Sequence, residues 1–298
     1  MNLAVPPHSV TFPAFSQAEQ VQIMWQCPLC QSPLVCGDTW RCNNNHSFDV
    51  SRRGYVNLLP VHKKSSKDPG DNKAMLGARK TFHQYRIYQP LMDKMADVII
   101  KSDVMSASGA VVLYDAGCGE GTYLHVIRSA LEAAGKSVVA SGSDISKSAV
   151  DLAARQHRDA QFVVASSFDL PVQDSQVDLM LQVFAPGSDD EFARVLKPQG
   201  LLLHVTPGPA HLMALKKAAY NTPREHELPA DERRGFTLLS RQRIHWQATL
   251  ENESQRKALL QMTPFAWRLD EETRDSLCRS LTEVEADFYV SLWQVKQK

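Results

Sequence analysis

"YDAGCGEGTYL", Tyr114 to Leu124, is the stretch on which the fold turns. The residues leading into it, "AVVLYDAG", form an apolar run of strand length, and those leaving it, "GTYLHVIRSALEAAG", repeat apolar residues at helical spacing until Gly135. A buried strand therefore meets a helix through a glycine-rich turn. The glycines fall as G-x-G-x-G at Gly117, Gly119 and Gly121, one residue tighter than the G-x-G-x-x-G turn that brings a helix N-terminus to a pyrophosphate. Asp115 stands directly before them, where a carboxylate would repel phosphate but suits a cationic sulfonium. Asp144 closes the next strand, 23 residues after Gly121, in position to accept both hydroxyls of a ribose. An acid, three alternating glycines and a strand-end acid in this order point to S-adenosylmethionine as the cofactor.

The pattern on either side agrees. Pro90 suits the first turn of a helix carrying Leu91, Met95, Val98 and Ile99 on one face. "SVVASGSD", "AQFVVASS", "VDLMLQVF" and "GLLLHVT" read as further strands, with helices "SKSAVDLAARQH" and "DDEFARVL" between them. The expected fold is α/β: a class I S-adenosylmethionine-dependent methyltransferase, Rossmann-like, with a mostly parallel doubly wound sheet over residues 90–298. Ligands then bind beyond the carboxyl ends of the strands. The residues expected at the cofactor are Asp115, Gly117, Cys118, Gly119, Gly121, Thr122 and Tyr123 from the first turn, Asp144 from the second strand, and Ser166 and Ser167 after the third. Many enzymes of this class hold the adenine amino group with an Asp at the position of Ser166, so adenine contact here falls to backbone or to Ser167. Cys118 has no base partner in the sequence and reads as a small packing residue.

A second cluster lies near the front. "CPLCQSPLVCGDTWRCNNNH", Cys27 to His46, holds four of the chain's six cysteines and a histidine. The spacing Cys27-x2-Cys30-x11-Cys42-x3-His46 provides two knuckles with two donors each, enough to close a tetrahedral zinc site. Cys36 lies between the pairs and is an alternative to His46. A closed set of four ligands makes the zinc structural, and so small a segment depends on the metal for its folding energy. The 298 residues, 43% hydrophobic, suffice for one large domain and one small one. No apolar run is long enough to span a membrane. Residues 1–24 have no basic start, apolar core or small-residue cleavage site. The expectation is a cytoplasmic protein, where clustered Cys and His favour metal over disulfides.

Between the two clusters the charge balance shifts, although the chain as a whole is neutral. From Ser51 to Pro90 there are nine Lys and Arg against Asp68 and Asp71. Arg52, Arg53, Lys63, Lys64 and Lys67 are the residues expected to track an RNA backbone, and Tyr55, Phe82, Tyr85 and Tyr88 could stack on bases. The plain alternative is a solvated helix and loop. Residues 61–89 are read as a basic connector.

From Cys27 onward, over about 270 residues, the chain resembles the bacterial zinc-containing methyltransferases that modify N1 of a guanine in 23S ribosomal RNA. The resemblance is carried by "CPLC", "GYVNLLPV", "DPGD", "DAGCGEG", "VASS", "ARVLKPQG", "TPGPAHLMALK" and "LLQMTPFAW". It implies zinc on Cys27, Cys30, Cys42 and His46, with Cys36 surplus. It also implies a zinc-binding domain over residues 25–60 that helps recognise an rRNA hairpin loop, and a homodimer. "LLQMTPFAW" favours the Gram-negative form, which acts on guanine 745. Residues 1–24 then form an extension with no assigned function.

Guanine N1 carries a proton at neutral pH, so methylation must remove it while N1, methyl and sulfur are held in line. A paired base cannot present N1, which requires a loop or a flipped nucleotide. Phe184 in "VFAPG" follows the fourth strand and either stacks on the target base or belongs to the core. Candidates for the base are His211, Asp189 and Asp190, each of which also has a purely structural explanation, and water is a further acceptor. Two rival readings are a methyltransferase acting on a small molecule, which would need no zinc module, and a binding module built on a degenerate cofactor fold, which would lack the intact acid and glycine loop.

Overall fold

The computed structural model describes residues 23–63, 70–106 and 109–296. Among the described residues the first elements are three short strands, β1 (Leu34–Val35), β2 (Thr39–Cys42) and β3 (Ser47–Asp49), paired antiparallel in that order. β4 (Val56–Asn57) follows, then α1 (Lys73–Gln84), started by the Asn72 side chain accepting the Met75 N–H, and α2 (Gln89–Ile100), with Pro90 in its first turn. The central units are β5 (Val111–Ala116), α3 (Thr122–Ala133), β6 (Val138–Asp144), α4 (Lys147–Gln156), β7 (Gln161–Val164), β8 (Val177–Val183), α5 (Asp189–Val195) and β9 (Leu196–Pro207). The chain ends with α6 (Met213–Ala219), β10 (Phe236–Thr249), α7 (Glu253–Met262), α8 (Glu271–Ser280) and β11 (Glu283–Val295).

Eight strands form one sheet in the order β10-β11-β9-β8-β5-β6-β7-β4. The run from β9 to β4 is parallel, while β11 lies antiparallel to both β9 and β10. All six residues of β5 are buried, which explains why its sequence runs apolar up to Asp115 rather than alternating. The strand order reverses direction beside β5, and this puts the glycine turn at the switch point of a doubly wound sheet. Among the described residues no helix is long and apolar enough to cross a membrane.

The small module and the large one share a core. Trp25 lies 5.5 Å from Trp40 and 6.2 Å from Tyr114, ring centre to ring centre, and its indole N–H bonds to Gln161. Ile23, Trp25, Leu34 and Trp40 thus pack with Val112, Tyr114 and Val163 of the large sheet. β4 lies within the stretch 25–60 yet pairs parallel with β7 as the edge strand of that sheet. The connector is likewise part of the body, since α1 packs against α7 and α4. Phe82 and Tyr88 are buried, with rings 4.8 Å apart and edge-on, and Tyr55 is buried too. Burial withdraws these three rings from stacking on bases: Phe82 lies on the buried face of α1, Tyr55 directly before β4, and Tyr88 at the start of α2.

Candidate active site and metal centre

The turn after β5 is built by backbone that only glycine adopts easily. Gly117, Gly119 and Gly121 all have positive φ, at 85°, 54° and 87°. A Cβ on Gly117 would stand 2.4 Å from Ala185 Cβ, and one on Gly121 would stand 2.7 Å from the His157 ring. Cys118 fills the space beneath the turn: it is buried against Gly142, and burial pushes its thiol well above the ordinary range. That is the packing role expected for it. Thr122 and Tyr123 open α3, and the Tyr123 ring lies 6.1 Å from Phe184.

Asp144 tethers the turn. One carboxylate oxygen accepts the Gly119 N–H at 2.9 Å and the other accepts the Ser146 N–H at 2.8 Å. A carboxylate has about four acceptor positions, so about two remain for ribose hydroxyls. Burial raises the Asp144 pKa, and these two N–H bonds only partly offset the effect. Asp115 is deeper still, with Oδ1 buried and without a partner among the described residues. Burial, and then the carboxylates of Asp144 and Glu120, push its pKa well above the usual range. A cation placed there would reverse that shift. Ser167 Oγ lies about as far as a van der Waals contact from the position a Gly117 Cβ would take, while the Ser166 hydroxyl accepts the Phe168 N–H of its own turn. An orphaned acceptor, spare acceptor positions on Asp144 and glycines without room for a side chain all fit S-adenosylmethionine. The expected cofactor residues are brought together at one end of β5, β6 and β7.

Sequence reasoning did not place α1 at this site. His83 Nδ1 and Glu120 Oε1 are 2.8 Å apart, both side chains buried. Burial acts to raise the Glu120 carboxyl, but the bond to His83 and the nearby Arg79 outweigh it, and its pKa ends below the usual carboxylate value. Arg79 is ion-paired with Asp71 and reaches to Gly119. The Asp71 carbonyl in turn accepts the Ser146 hydroxyl at 3.0 Å, so Gly70 and Asp71 of the connector lie over the turn after β6. The signal for this was present in the 79/83 spacing, four residues apart and therefore on one helix face.

At the mouth of the site, Phe184 directly follows β8, with φ 54°, and is 44% exposed. A bulky residue in the left-handed region is strained, and its ring is held 5.4 Å from Phe288. Exposure decides against Phe184 as plain core. The base candidates fare differently. Asp189 is bonded by Arg233 Nε at 2.7 Å, and Asp190 by Arg234 at 3.0 Å. Both are the first residues of α5, whose N-cap is Ser188 rather than either acid. His211 Nδ1 lies 3.4 Å from the Asp287 backbone N–H and faces it as acceptor. Burial, then His226, lower the His211 pKa to about 3. A ring that accepts the Asp287 N–H on Nδ1 would carry its proton on the other nitrogen.

The metal centre is defined by distances. Cys27, Cys30, Cys42 and His46 place their donor atoms within 4.8 Å of one another. Cys30 and Cys42 sulfurs are 3.7 Å apart, and His46 Nδ1 is 3.5 Å from both Cys27 and Cys42 sulfurs. Tetrahedral zinc with ordinary bond lengths requires about 3.8 Å between sulfurs and about 3.6 Å between sulfur and nitrogen. The donor set fits zinc. Gln31, just past Cys30, and Asn45, just before His46, take positive φ to turn the two knuckles. Cys36 stands outside the cluster, its thiol pushed up to about 11 by burial.

Of the expected RNA contacts, Arg52 and Arg53 are exposed in the turn before β4. Lys63 is ion-paired with Asp169 at 2.5 Å. Lys64 and Lys67 lie outside the described residues.

Known proteins match both modules. Residues 25–67 match the zinc-ribbon family described as "RlmA, N-terminal", and residues 106–256 match a methyltransferase domain. The 23S rRNA (guanine(748)-N(1))-methyltransferase of Streptomyces fradiae is 33% identical over 273 residues, covering 90% of this chain and 93% of its own. A relative from Bacillus subtilis (strain 168), YxjB, named for the same guanine-N1 activity, is 31% identical over 283 residues, covering 88% of this chain and 93% of its own. With a cofactor turn shaped for S-adenosylmethionine, four donors spaced for zinc, and similarity that runs through both, the chain is a methyltransferase and belongs to the family of 23S rRNA (guanine-N1)-methyltransferases.

Proposed function

We propose that this protein transfers a methyl group from S-adenosylmethionine to N1 of a guanine in a hairpin loop of 23S rRNA, and that it works as a cytoplasmic homodimer. The observation that carries the reading is the similarity to relatives named for this activity across both modules, together with a zinc ribbon that a small-molecule enzyme would not need. When bound, the cofactor supplies an electrophilic methyl on a sulfonium. Asp144 orients the ribose and fixes the glycine turn, and Asp115 faces the cationic end. Phe184, exposed and strained beside Tyr123, receives the flipped base and excludes water from one of its faces. With the base held there, N1 would be presented in line to the methyl that the cofactor supplies, and the N1 proton leaves to solvent water.

Primer extension on ribosomal RNA from cells lacking the protein tests the reading, because methylation at N1 blocks pairing and stops the polymerase. The expected result is loss of one stop, restored by the wild-type chain. The stop should fall at guanine 745 if "LLQMTPFAW" marks the Gram-negative form. An unchanged pattern of stops would refute the rRNA reading. The exposed pair in the turn before β4 gives a second test. Arg52→Ala/Arg53→Ala should flatten the salt dependence of hairpin RNA binding by roughly one unit of slope per lost phosphate contact. Cofactor affinity should be unchanged. Lys63→Ala should change the slope less, since its ammonium already has the Asp169 carboxylate as partner. Identical slopes for the double variant and wild type would mean that the turn does not touch phosphate.

A further inference from the structure

Arg79 belongs to the basic connector, yet its geometry points away from an RNA backbone and into the cofactor cleft. It lies on α1 one turn before His83, on the same face. His83 is committed to Glu120 inside the glycine turn, and this fixes that face of the helix against the turn. The Arg79 side chain is only 26% exposed. Its Nη2 is held by Asp71, and its Nη1 stands 3.4 Å from the position a Cβ on Gly119 would occupy. Gly119 is also the residue whose N–H is bound by Asp144, so Arg79 and the ribose acceptor meet on the same peptide. Nη1 makes no hydrogen bond within the described residues, while the guanidinium keeps its charge at any relevant pH.

The charges around the cleft are lopsided. Asp115, Glu120 and Asp144 supply carboxylates, and Arg79 is the guanidinium acting on both Glu120 and Asp144. S-adenosylmethionine carries two cationic groups and one anionic group, the carboxylate of its methionine half. We infer that Arg79 binds the methionine carboxylate of the cofactor through its free Nη1, with Asp71 holding the guanidinium in place. This rests on the cofactor reading and not on RNA as substrate. The pairing gives the connector a second role, because the helix that joins the zinc ribbon to the catalytic sheet also carries the anchor for the cofactor's amino-acid end.

The test compares two ligands by calorimetry on the full-length zinc-loaded protein. Decarboxylated S-adenosylmethionine keeps the adenosine, sulfonium and amine and lacks only the carboxylate. Wild type should bind S-adenosylmethionine roughly 10- to 100-fold more tightly than the decarboxylated compound, as expected for a charge-assisted hydrogen bond. Arg79→Gln should remove most of this preference by weakening S-adenosylmethionine, while affinity for the decarboxylated compound stays within about twofold of wild type. Arg79→Lys keeps the charge without the fork and should retain part of the preference. Equal losses for both ligands in Arg79→Gln would overturn the inference and make Arg79 a structural support of the turn. Wild type binding both ligands alike would overturn it without recourse to any variant, so a misfolded Arg79→Gln does not leave the question open. Wild type binding neither ligand would instead sink the cofactor reading itself.

Discussion

Cys42→Ser should leave the purified protein with less than about half an equivalent of zinc, lower its melting temperature by several degrees or more, and weaken S-adenosylmethionine binding. Structural zinc contributes roughly 10–16 kcal/mol to the folding of small zinc modules, as much as the net stability of a whole domain. The first two effects follow from the donor geometry alone. The third follows from the shared core. If the knuckles open, Trp40 loses its seat on Trp25 and Trp25 its seat on Tyr114, and Tyr114 immediately precedes Asp115 in β5. The simple view of a zinc module that can unfold while the cofactor domain carries on is therefore replaced by one in which the metal supports the strand that holds the cofactor acid. Elemental analysis and calorimetry on the same sample decide the matter: a zinc-free, folded variant with full cofactor affinity would show that the two parts are energetically separate.

Asp144→Ala is expected to weaken S-adenosylmethionine by more than the roughly 10- to 100-fold attributable to lost ribose hydrogen bonds. The same carboxylate accepts the N–H groups of Gly119 and Ser146, so its removal also leaves those two donors without a partner. Asp144→Asn keeps an acceptor for one of them and should lie between alanine and wild type. Hairpin RNA binding should be nearly unaffected by either change. Calorimetry returning wild-type cofactor affinity for the alanine variant would rule out Asp144 as the ribose ligand.

The parts legible in the sequence were those where local chemistry leaves little choice. Alternating glycines after a strand, an acid before them, and paired knuckle spacing each specify backbone and donors within a few residues: Gly117, Gly119 and Gly121 take positive φ, and Cys27, Cys30, Cys42 and His46 bring their donor atoms together. The helix cap at Ser188 was also legible, in the Ser-x-x-Glu spacing to Glu191. What charge counting misses is direction. "ARKTFHQY" looks basic and aromatic as a string, yet Arg79, Phe82 and His83 lie on the inner side of α1. The long β10–β11 pair escaped because its burial depends on elements distant in the chain: β11 pairs edge to edge with β9, and α2 and α6 pack against it.

The seam between β4 and β7 also has a consequence for how the protein is made. The knuckles close between Cys27 and His46, only 19 residues apart, and all four ligands leave the ribosome early. The surface on which they rest arrives much later. Trp25 must wait for Gln161, 136 residues further on, and Val56 for Val163. During that interval the nascent ribbon exposes two tryptophans and an unpaired strand, the features that invite aggregation in a partly made chain. Early capture of zinc holds those residues in their final arrangement before there is a sheet to receive them. Cells starved of zinc during synthesis should therefore accumulate this protein in the insoluble fraction, even where zinc restored afterwards is ample.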